Sequence, residues 1–360
     1  MPAEWEPHEA TWIAWPHNRS DWPGKFEAIP WVYAEIVRHL SRSERVNILV
    51  NDEAAEAKAR EVLARAAVLP EKAVEPGAHA GNVEFVRIPT NRVWTRDYGP
   101  IFVKRKSSSS SKLPPVAATA WRFNAWAKYY DWKLDAPVSA ELAQRLGMLH
   151  WKPMVHVNCK PQRAVLEGGS IEVNGRGTMI TTEECLLSEV QKRNPGVTRE
   201  EIERIFRDYL GVKKVIWLER GIAGDDTHGH VDDIARFVGR SKVLTAYEDD
   251  RSDANHEPLR ENFRKLTKST DESGRPLEVV RLPMPAPVVF RGQRLPASYA
   301  NFYIANKVVL VPVFNDRNDR AALNILADVF PKRQVVGIYC GDFIWGLGAL
   351  HCMTQQQPAP

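Results

Sequence analysis

The stretch Gly341-Asp-Phe-Ile-Trp-Gly-Leu-Gly-Ala-Leu-His-Cys-Met-Thr-Gln-Gln-Gln-Pro358 places three glycines just ahead of a cysteine, Cys352. Glycines at this density let the backbone pass close to a ligand and adopt angles that other residues avoid. Because a chain terminus normally frays and carries little chemistry, this stretch is a candidate for a functional thiol. A buried structural cysteine explains it equally well, since free cysteine packs as a small hydrophobe.

The composition limits the classes of protein to consider. The chain has 360 residues, of which 44% are hydrophobic and 26% are charged, which is ordinary for a globular protein. Its 49 basic and 45 acidic residues give a net charge of +4, without the clustered basic face that nucleic-acid binding needs. Four cysteines without paired spacing indicate neither a disulfide scaffold nor a zinc site, and they fit a reducing compartment. We expect a cytoplasmic protein that binds no membrane, because signal-peptide and membrane-span patterns are not found.

Strands and helices alternate along the sequence. Apolar spacing and capping residues predict helices at 31–42, 52–67, 137–146, 198–210, 254–267 and 320–329. Short apolar runs predict strands between them, including 164–173, 228–238 and 299–305, and Asn174-Gly175 predicts a hairpin turn. A strand-hairpin-helix-strand rhythm recurs about every 60–70 residues. This pattern predicts a single α/β or α+β domain over 1–360, with a flexible serine-rich loop at about 106–114.

The strongest chemical cluster is Gly224-Asp-Asp-Thr-His-Gly-His-Val-Asp-Asp233, which runs into an apolar strand pattern. If the strand starts at His228, then His228, His230 and Asp232 point to one face, because side chains alternate along a strand. The three residues would suit a metal site. They would also suit a general acid and base beside an anionic clamp. A surface strand with two satisfied histidines is the alternative without function.

Two further acidic segments stand out. Asp97 lies in Trp94-Thr-Arg-Asp-Tyr-Gly-Pro100, and Glu167 precedes a glycine pair in a predicted strand, where glycines usually mark close backbone approach. One thiol, one histidine and three carboxylates together suit a planar cation, since carboxylates accept the forked donors of a guanidinium in pairs. A thiolate can attack the central carbon of that cation while histidine moves protons.

These motifs resemble the agmatine deiminase family in order and spacing: Asp97 in WTRDYGP, Glu167 in LEGGS, His230 and Asp232 in HGHVDD, and Cys352 in LHCMTQQQP. The segments 1–12 and 298–306 are similar to the family as well, so the resemblance covers nearly the whole chain. The family shares its wider grouping with bacterial-type peptidylarginine deiminases.

The resemblance implies a pentein fold, a five-bladed α/β propeller of ββαβ units around a central active site, without metal or organic cofactor. It implies hydrolysis of agmatine, a small guanidinium substrate, to N-carbamoylputrescine and ammonia, within putrescine and polyamine biosynthesis from arginine. A homodimer is a further expectation from the family.

The resemblance also implies roles for the site residues. Asp97 and Asp232 hold the guanidinium, Cys352 attacks it, His230 moves protons and Glu167 orients His230. The far amine of the substrate is assigned to Asp225 and Asp226, with Trp94 as a wall; alternatively, either aspartate caps the turn.

This sequence departs from the family at four positions. Leu347 and Ala349 interrupt the glycine run, Glu172 replaces a histidine, and Asp233 stands where many relatives have asparagine. These departures bear on the identity of the substrate more than on the chemistry.

Three alternatives stay open. The first is a peptidylarginine deiminase acting on protein arginine. The second is a metal-dependent hydrolase that uses His228, His230 and Asp232. The third is a guanidine- or polyamine-binding module without catalysis, which would have no need of the thiol.

Overall fold

The computed structural model describes residues 1–105, 113–157 and 160–360. Cys159 and most of the predicted serine-rich loop therefore lie outside the described residues. Strands and helices alternate in a mixed α/β protein, as predicted. No helix in the described part is long and apolar enough to cross a membrane.

The described residues contain eight α-helices. They are Ile29–Leu40 (α1), Glu53–Arg65 (α2), Thr95–Tyr98 (α3), Val138–Arg145 (α4), Glu183–Leu187 (α5), Arg199–Leu210 (α6), His256–Thr267 (α7) and Asp319–Val329 (α8).

The first half of the chain contributes the strands His8–Ala14 (β1), Arg45–Val50 (β2), Val83–Arg87 (β3), Ile101–Lys104 (β4), Val116–Thr119 (β5), His150–Trp151 (β6), Met154–Val157 (β7), Lys160–Arg163 (β8), Glu172–Val173 (β9) and Thr178–Thr182 (β10). The second half contributes Lys214–Leu218 (β11), Ala235–Gly239 (β12), Lys242–Tyr247 (β13), Glu278–Pro283 (β14), Val289–Phe290 (β15), Gln293–Arg294 (β16), Tyr303–Ile304 (β17), Val308–Val313 (β18), Gln334–Tyr339 (β19) and Gln355–Pro358 (β20).

One strand pattern recurs in five sheets of the described residues. Each begins with an antiparallel pair and continues with a parallel strand, in the orders β4-β5-β6, β9-β10-β11, β12-β13-β14, β17-β18-β19 and β20-β1-β2-β3. A parallel pair needs a crossover connection, and helices supply it here: α4, α5 with α6, α7 and α8 each lie between the parallel strands of one sheet. The fifth sheet joins the two ends of the chain, because β20 pairs with β1.

Local sequence signals account for the helices. The side chain of Asp52 accepts a hydrogen bond from Ala55 N at 2.7 Å and caps α2, and Thr198 caps α6 in the same way. Gly211 ends α6 with a φ of +70°, a backbone angle that favours glycine. The bounds of the six predicted helices agree with the structure to within two residues.

Three strand predictions are wrong in the part that matters for function. The predicted strand 299–305 exists only as Tyr303–Ile304, so Asn301 lies before it. Residues 228–234 form a turn and a 3-10 helix, Val231–Asp233, and the strand starts only at Ala235. His228 has a φ of +63° and Gly229 a φ of +92°, which no strand accommodates. Similarly, the segment after Glu167 turns into a 3-10 helix, Gly168–Ser170, instead of continuing a strand.

Candidate active site

Five segments of the chain converge on one site. Each segment immediately precedes the antiparallel pair of one sheet: residues 95–98 precede β4, 167–170 precede β9, 230–233 precede β12, 298–302 precede β17, and 351–354 precede β20. The five segments therefore hold the same position relative to the strands of their sheets. The helix α3 contacts the 3-10 turn Gly168–Ser170, and that turn contacts Val231–Asp233.

A cavity of about 360 Å³ leads to these segments. At its inner end lie Asp97 and Cys352, and the remaining lining comes from the walls and the mouth. The lining residues are Ser20, Asp21, Pro23, Arg92, Trp94, Asp97, Trp126, Tyr129, Asp226, Thr227, Gln293, Trp345, Gly346, Leu347, Gly348 and Cys352.

Cys352 lies among acidic and amide groups at this inner end. Its Sγ is 3.7 Å from Asp232 Oδ2 and accepts a hydrogen bond from Asn301 Nδ2 at 3.1 Å. Asn301 Nδ2 also donates to Asp233 Oδ1 at 2.9 Å. Burial, followed by the charges of Asp232, Asp233 and Asp97, raises the pKa of the Cys352 thiol well above its usual value. In the free protein Cys352 is therefore a thiol.

His230 lies between two carboxylates and is almost completely buried. Its Nδ1 is 3.9 Å from Asp97 Oδ1, and its Nε2 is 3.7 Å from Glu167 Oε2. Neither ring nitrogen has a hydrogen-bond partner among the described residues. Burial opposes the charged ring, but Asp97, the Cys185 sulfur and Glu167 outweigh it and raise the pKa of His230 well above its usual value. His230 therefore carries a proton that it can donate.

Glu167 is held in place by a cation from a different segment. Arg193 Nε donates to Glu167 Oε1 at 3.2 Å and to Oε2 at 3.3 Å, and both side chains are fully buried. Burial opposes ionisation of Glu167, but the Arg193 charge and His230 outweigh it and lower the pKa of Glu167. Glu167 is therefore an ionised carboxylate facing His230.

Asp97 accepts two hydrogen bonds that fix its carboxylate. Gly169 N donates to Oδ1 at 3.1 Å and Trp126 Nε1 donates to Oδ2 at 2.9 Å. Burial raises the pKa of Asp97 to about 6, with His230 opposing the shift and Asp232 adding to it. A Cβ at Gly169 would lie 2.6 Å from His230 Nδ1 and 2.9 Å from Asp97 Oδ1, so only glycine fits between these two groups.

Asp232 presents one occupied and one open oxygen. Its Oδ2 lies 2.7 Å from His351 Nδ1, while its Oδ1 is buried without a partner among the described residues. Burial opposes ionisation, but the hydrogen bond and charge of His351 outweigh it and lower the pKa of Asp232. The inner end thus holds several carboxylates with unused acceptor capacity.

The two predicted acceptors for the far amine have different surroundings. Asp226 lines the cavity, where it pairs with Lys128 and accepts a hydrogen bond from Tyr129 Oη at 2.6 Å. Asp225 is not among the lining residues; its oxygens accept from the backbone N–H groups of Thr227 at 2.8 Å and Gly229 at 2.7 Å. Asp225 therefore organises the turn, and its prediction as a substrate-binding residue has no support from this geometry.

Asp21 is an acidic residue of the outer wall that the sequence did not single out. Arg92 Nη1 donates to Asp21 Oδ1 at 2.6 Å, and the same guanidinium binds Asp131 through two hydrogen bonds of 3.1 Å. Asp21 Oδ2 is buried without a partner among the described residues, and burial raises the pKa of Asp21 to about 6. Asp21 is thus a second candidate acceptor for a cationic group in the outer cavity.

The predicted grouping of His228, His230 and Asp232 on one strand face is wrong. His228 turns away and contacts Ser188 Oγ at 3.2 Å through Nε2. Among the described residues, the one cluster with suitable metal ligands within 4.8 Å of one another is Glu167, Cys185 and His230, all buried. In that cluster, Glu167 already binds the guanidinium of Arg193. The metal-hydrolase alternative has lost the grouping of His228, His230 and Asp232 on which it rested.

The glycine run forms one wall of the cavity. A Cβ at Gly346 would lie 2.6 Å from the Trp22 ring, and a Cβ at Gly348 would lie 2.7 Å from the Trp94 ring. Trp94 lines the cavity, and its role as a wall beside the substrate stays a prediction. Leu347 adopts a φ of +67° and also lines the cavity, whereas Ala349 is not among the lining residues.

Several residues of the site were missed from the sequence. Trp126 reaches Asp97 from a turn in which Ala125, Trp126 and Ala127 all have positive φ, a conformation that the sequence does not signal. Arg193 lies in a segment without a recognisable motif. Asn301 lies inside the quoted segment 298–306, which offered the one available signal for it.

Comparison with known proteins finds similar proteins over nearly the full length of the chain. The family described as Porphyromonas-type peptidyl-arginine deiminase matches residues 1–358. An agmatine deiminase from Medicago truncatula is 37% identical, covering 100% of this chain and 96% of its own. The solved structure of an agmatine deiminase from Enterococcus faecalis superposes with a TM-score of 0.85 at 30% identity, over 99% of this chain and 95% of that one. A cysteine-to-serine variant of a C. jejuni agmatine deiminase with substrate bound gives a TM-score of 0.81 at 29% identity, over 99% and 95% of the two chains.

Proposed function

The chain belongs to the Porphyromonas-type peptidyl-arginine deiminase family, and from this premise we propose that it hydrolyses agmatine to N-carbamoylputrescine and ammonia. The observation that carries the proposal is the inner end of the cavity. At that end Cys352 and Asp97 line the cavity, with Asp232 Oδ2 3.7 Å from the thiol and the protonated His230 3.9 Å from Asp97, and these groups together suit one planar cation. The names of the similar proteins support agmatine as that cation.

Binding uses the two aspartates. Asp97 and Asp232 accept hydrogen bonds from the guanidinium in pairs and hold it flat against Cys352. The carboxylate of Asp97 is already oriented by Gly169 N and Trp126 Nε1, so little reorganisation is needed when substrate arrives. Orientation of a bound reactant can supply about 7–11 kcal/mol of a reaction barrier.

Substrate activates the nucleophile in this mechanism. The pKa of the Cys352 thiol is raised by burial and by three carboxylates, so the free enzyme holds little thiolate. A bound guanidinium brings a positive charge next to the sulfur and offsets those carboxylates, which lowers the thiol pKa. With substrate in place Cys352 releases its proton to solvent, and its thiolate attacks the guanidinium carbon.

His230 transfers protons in the covalent steps that follow. Attack forms an S–C bond; His230 donates its proton to one nitrogen of the tetrahedral adduct, and that C–N bond breaks to release ammonia. The neutral imidazole next removes a proton from water, whose oxygen attacks the same carbon. Cleavage of the S–C bond expels Cys352 as a thiolate, which takes up the proton of the added hydroxyl and leaves a neutral ureido product. Glu167, fixed by Arg193, stabilises the imidazolium in each protonated stage.

The proposal also covers the fold, the outer cavity, the oligomeric state and the cellular location of the enzyme. Five sheets with one strand order, each delivering its preceding segment to the centre, support a propeller of five ββαβ units in a single domain over 1–360. Asp226 and Asp21 in the outer cavity are the proposed acceptors for the far amine, with Trp94 as a wall. A cytoplasmic homodimer remains part of the proposal.

The test compares three substrates. Purified protein is offered agmatine, free arginine and an arginine-containing peptide, and release of ammonia and ureido product is measured with and without a chelator. Preference for agmatine that survives the chelator supports the proposal. Activity on the peptide alone would identify a peptidylarginine deiminase instead, and lack of turnover on all three would contradict the assignment.

A further inference from the structure

Leu347 lines the active-site cavity in a backbone conformation that a leucine rarely adopts. Its φ is +67° and its ψ is +24°, directly after the 3-10 helix Phe343–Gly346. A helix end in this left-handed region is usually occupied by glycine, because a Cβ there comes too close to a carbonyl oxygen. A bulky residue held in such a conformation beside a binding site points to a role for its side chain.

The backbone on both sides of Leu347 is fixed by tryptophans. Gly346 passes so close to Trp22 that a Cβ would lie 2.6 Å from the indole ring, and a Cβ at Gly348 would lie 2.7 Å from the Trp94 ring. The two glycines thus occur where a side chain would clash, whereas the position with the glycine-like φ between them carries a leucine. The backbone at Leu347 therefore has little room to shift.

The Leu347 side chain is also supported by packing. It lies against a small apolar cluster whose buried members are Leu295, Ala297, Ile344 and Ala349. The neighbouring Trp345 packs against the same cluster, and its Nε1 donates to Pro23 O at 3.2 Å. Because this packing adds to a fixed backbone, the side chain forms a rigid part of the cavity wall.

The cavity lining combines acidic ends with apolar walls. Asp97 and Cys352 lie at the inner end, and Asp21 and Asp226 lie in the outer part. The apolar and aromatic side chains of the lining include Trp94, Trp126, Trp345 and Leu347. A substrate with a cation at each end and an unbranched methylene chain between them matches this lining.

We propose that Leu347 is a specificity-determining residue: it admits a guanidinium on an unbranched chain and excludes one whose chain carries a substituent beside the far amine. The inference rests on the proposed function, because it concerns which guanidinium reaches Cys352. Agmatine has no such substituent. Free arginine carries a carboxylate at that carbon and peptidyl arginine carries the polypeptide, so both must displace a side chain that is packed in place.

Bulk and charge contribute separately to this selection, and a neutral probe separates them. The charged groups Asp21, Arg92 and Asp226 of the outer lining act on the carboxylate of arginine. Argininamide has a neutral substituent of nearly the same size. A variant that changes the preference for agmatine over argininamide therefore reports on bulk.

The first experiment measures kcat/KM for agmatine, argininamide and arginine in the unaltered protein and in Leu347→Gly. Glycine adopts this φ without strain and leaves the space of the leucine side chain empty. The ratio of kcat/KM for agmatine to that for argininamide should fall by about 10-fold or more, because one extra or missing methylene in an apolar pocket already changes kcat/KM by about 10–200-fold.

Leu295→Ala is the matched control for this experiment. Leu295 is buried in the same apolar cluster but is not among the lining residues, so its truncation should leave the ratio unchanged. A ratio that stays the same in Leu347→Gly, or that falls equally in Leu295→Ala, would overturn the proposal.

A second variant and a binding measurement apply if Leu347→Gly does not fold. Leu347→Ala keeps the Cβ and should shift the ratio in the same direction by a smaller factor. Calorimetry on the Cys352→Ala protein, with and without Leu347→Ala, compares the binding of agmatine and argininamide without any turnover. An unchanged preference for agmatine would reject the proposal. If the unaltered protein turns over none of the three guanidines, the proposed function fails; if it turns over agmatine with a selectivity that does not depend on Leu347, only the inference about Leu347 fails.

Discussion

The carboxylates at the two ends of the cavity have different hydrogen-bond and ion-pair partners. At the outer end Asp226 is paired with Lys128, and Asp21 shares Arg92 with another aspartate. At the inner end Asp97 receives only neutral donors, from Gly169 and Trp126, and the buried Oδ1 of Asp232 has no partner in the described part of the chain.

This difference predicts separate roles for the two ends: the inner end serves the chemistry and the outer end serves recognition of the substrate. Carboxylates that already bind a cation select weakly between substrates. A new cation must displace the existing cation or share the carboxylate with it. Among the described residues Asp97 hydrogen-bonds no cation, since His230 Nδ1 lies 3.9 Å from its Oδ1, and burial raises its pKa to about 6; a bound guanidinium would offset that burial. Substitutions at the inner end should therefore affect turnover, and those at the outer end should affect substrate affinity.

The largest effect is expected for Cys352→Ala. Removal of the proposed nucleophile should reduce kcat by at least about 10⁴-fold, as for nucleophiles of other covalent enzymes, while agmatine binding stays measurable by calorimetry. Cys340→Ala is the matched control, because Cys340 is also buried but does not line the cavity. Turnover that survives in the Cys352 variant would contradict the covalent mechanism.

Asp97→Asn should follow in size. Loss of a buried charge partner typically costs about 2–5 kcal/mol, so kcat/KM for agmatine should fall by roughly 30-fold to several thousand-fold. In the unaltered enzyme Asp97 must be ionised to bind the cation; with its pKa at about 6, kcat/KM should decline as pH falls below about 6. In the variant this particular limb should disappear. A profile that keeps it would assign the limb to another group.

The smallest effects, of opposite sign, are expected for two substitutions at the outer end. Asp226→Asn removes a candidate acceptor for the far amine and should raise KM by about tenfold or less with kcat nearly unchanged. Lys128→Met removes the cation that competes for Asp226 and should lower KM a few-fold. Steady-state kinetics with agmatine measures both. Equal KM values in the two variants would show that the far amine does not bind near Asp226 and would direct attention to Asp21.

The sequence allowed the main site residues to be anticipated, because each lies in a motif with distinctive neighbours. The structure places Asp97, Glu167, His230, Asp232 and Cys352 in one region. Their roles remain predictions that the variants above can test. Capping signals such as Asp52 and Thr198 also made the helices predictable, since those effects act within a few residues.

What the sequence did not reveal depends on contacts between distant segments. The Glu167 segment is not a strand, because Gly168 passes so close to the Arg96 carbonyl that a Cβ there would lie 2.3 Å from its oxygen. The turn at His228 is stabilised by the Asp225 side chain, which local periodicity cannot indicate. His351 was quoted from the outset without a role, since its partners Glu4 and Asp232 are 347 and 119 residues away in sequence.

The pairing of β20 with β1 has a consequence for how activity is acquired during folding. Trp12 and Gln357, joined by a side-chain hydrogen bond across this pair, are 345 residues apart in sequence. Closing a loop of that length costs about 5 kcal/mol of chain entropy, whereas the other four sheets form from nearer segments. Refolding protein should therefore regain its circular dichroism before its activity, because the strand that follows Cys352 docks through the most distant contact. An early, inactive intermediate would have most of its sheets built and its nucleophile still unplaced.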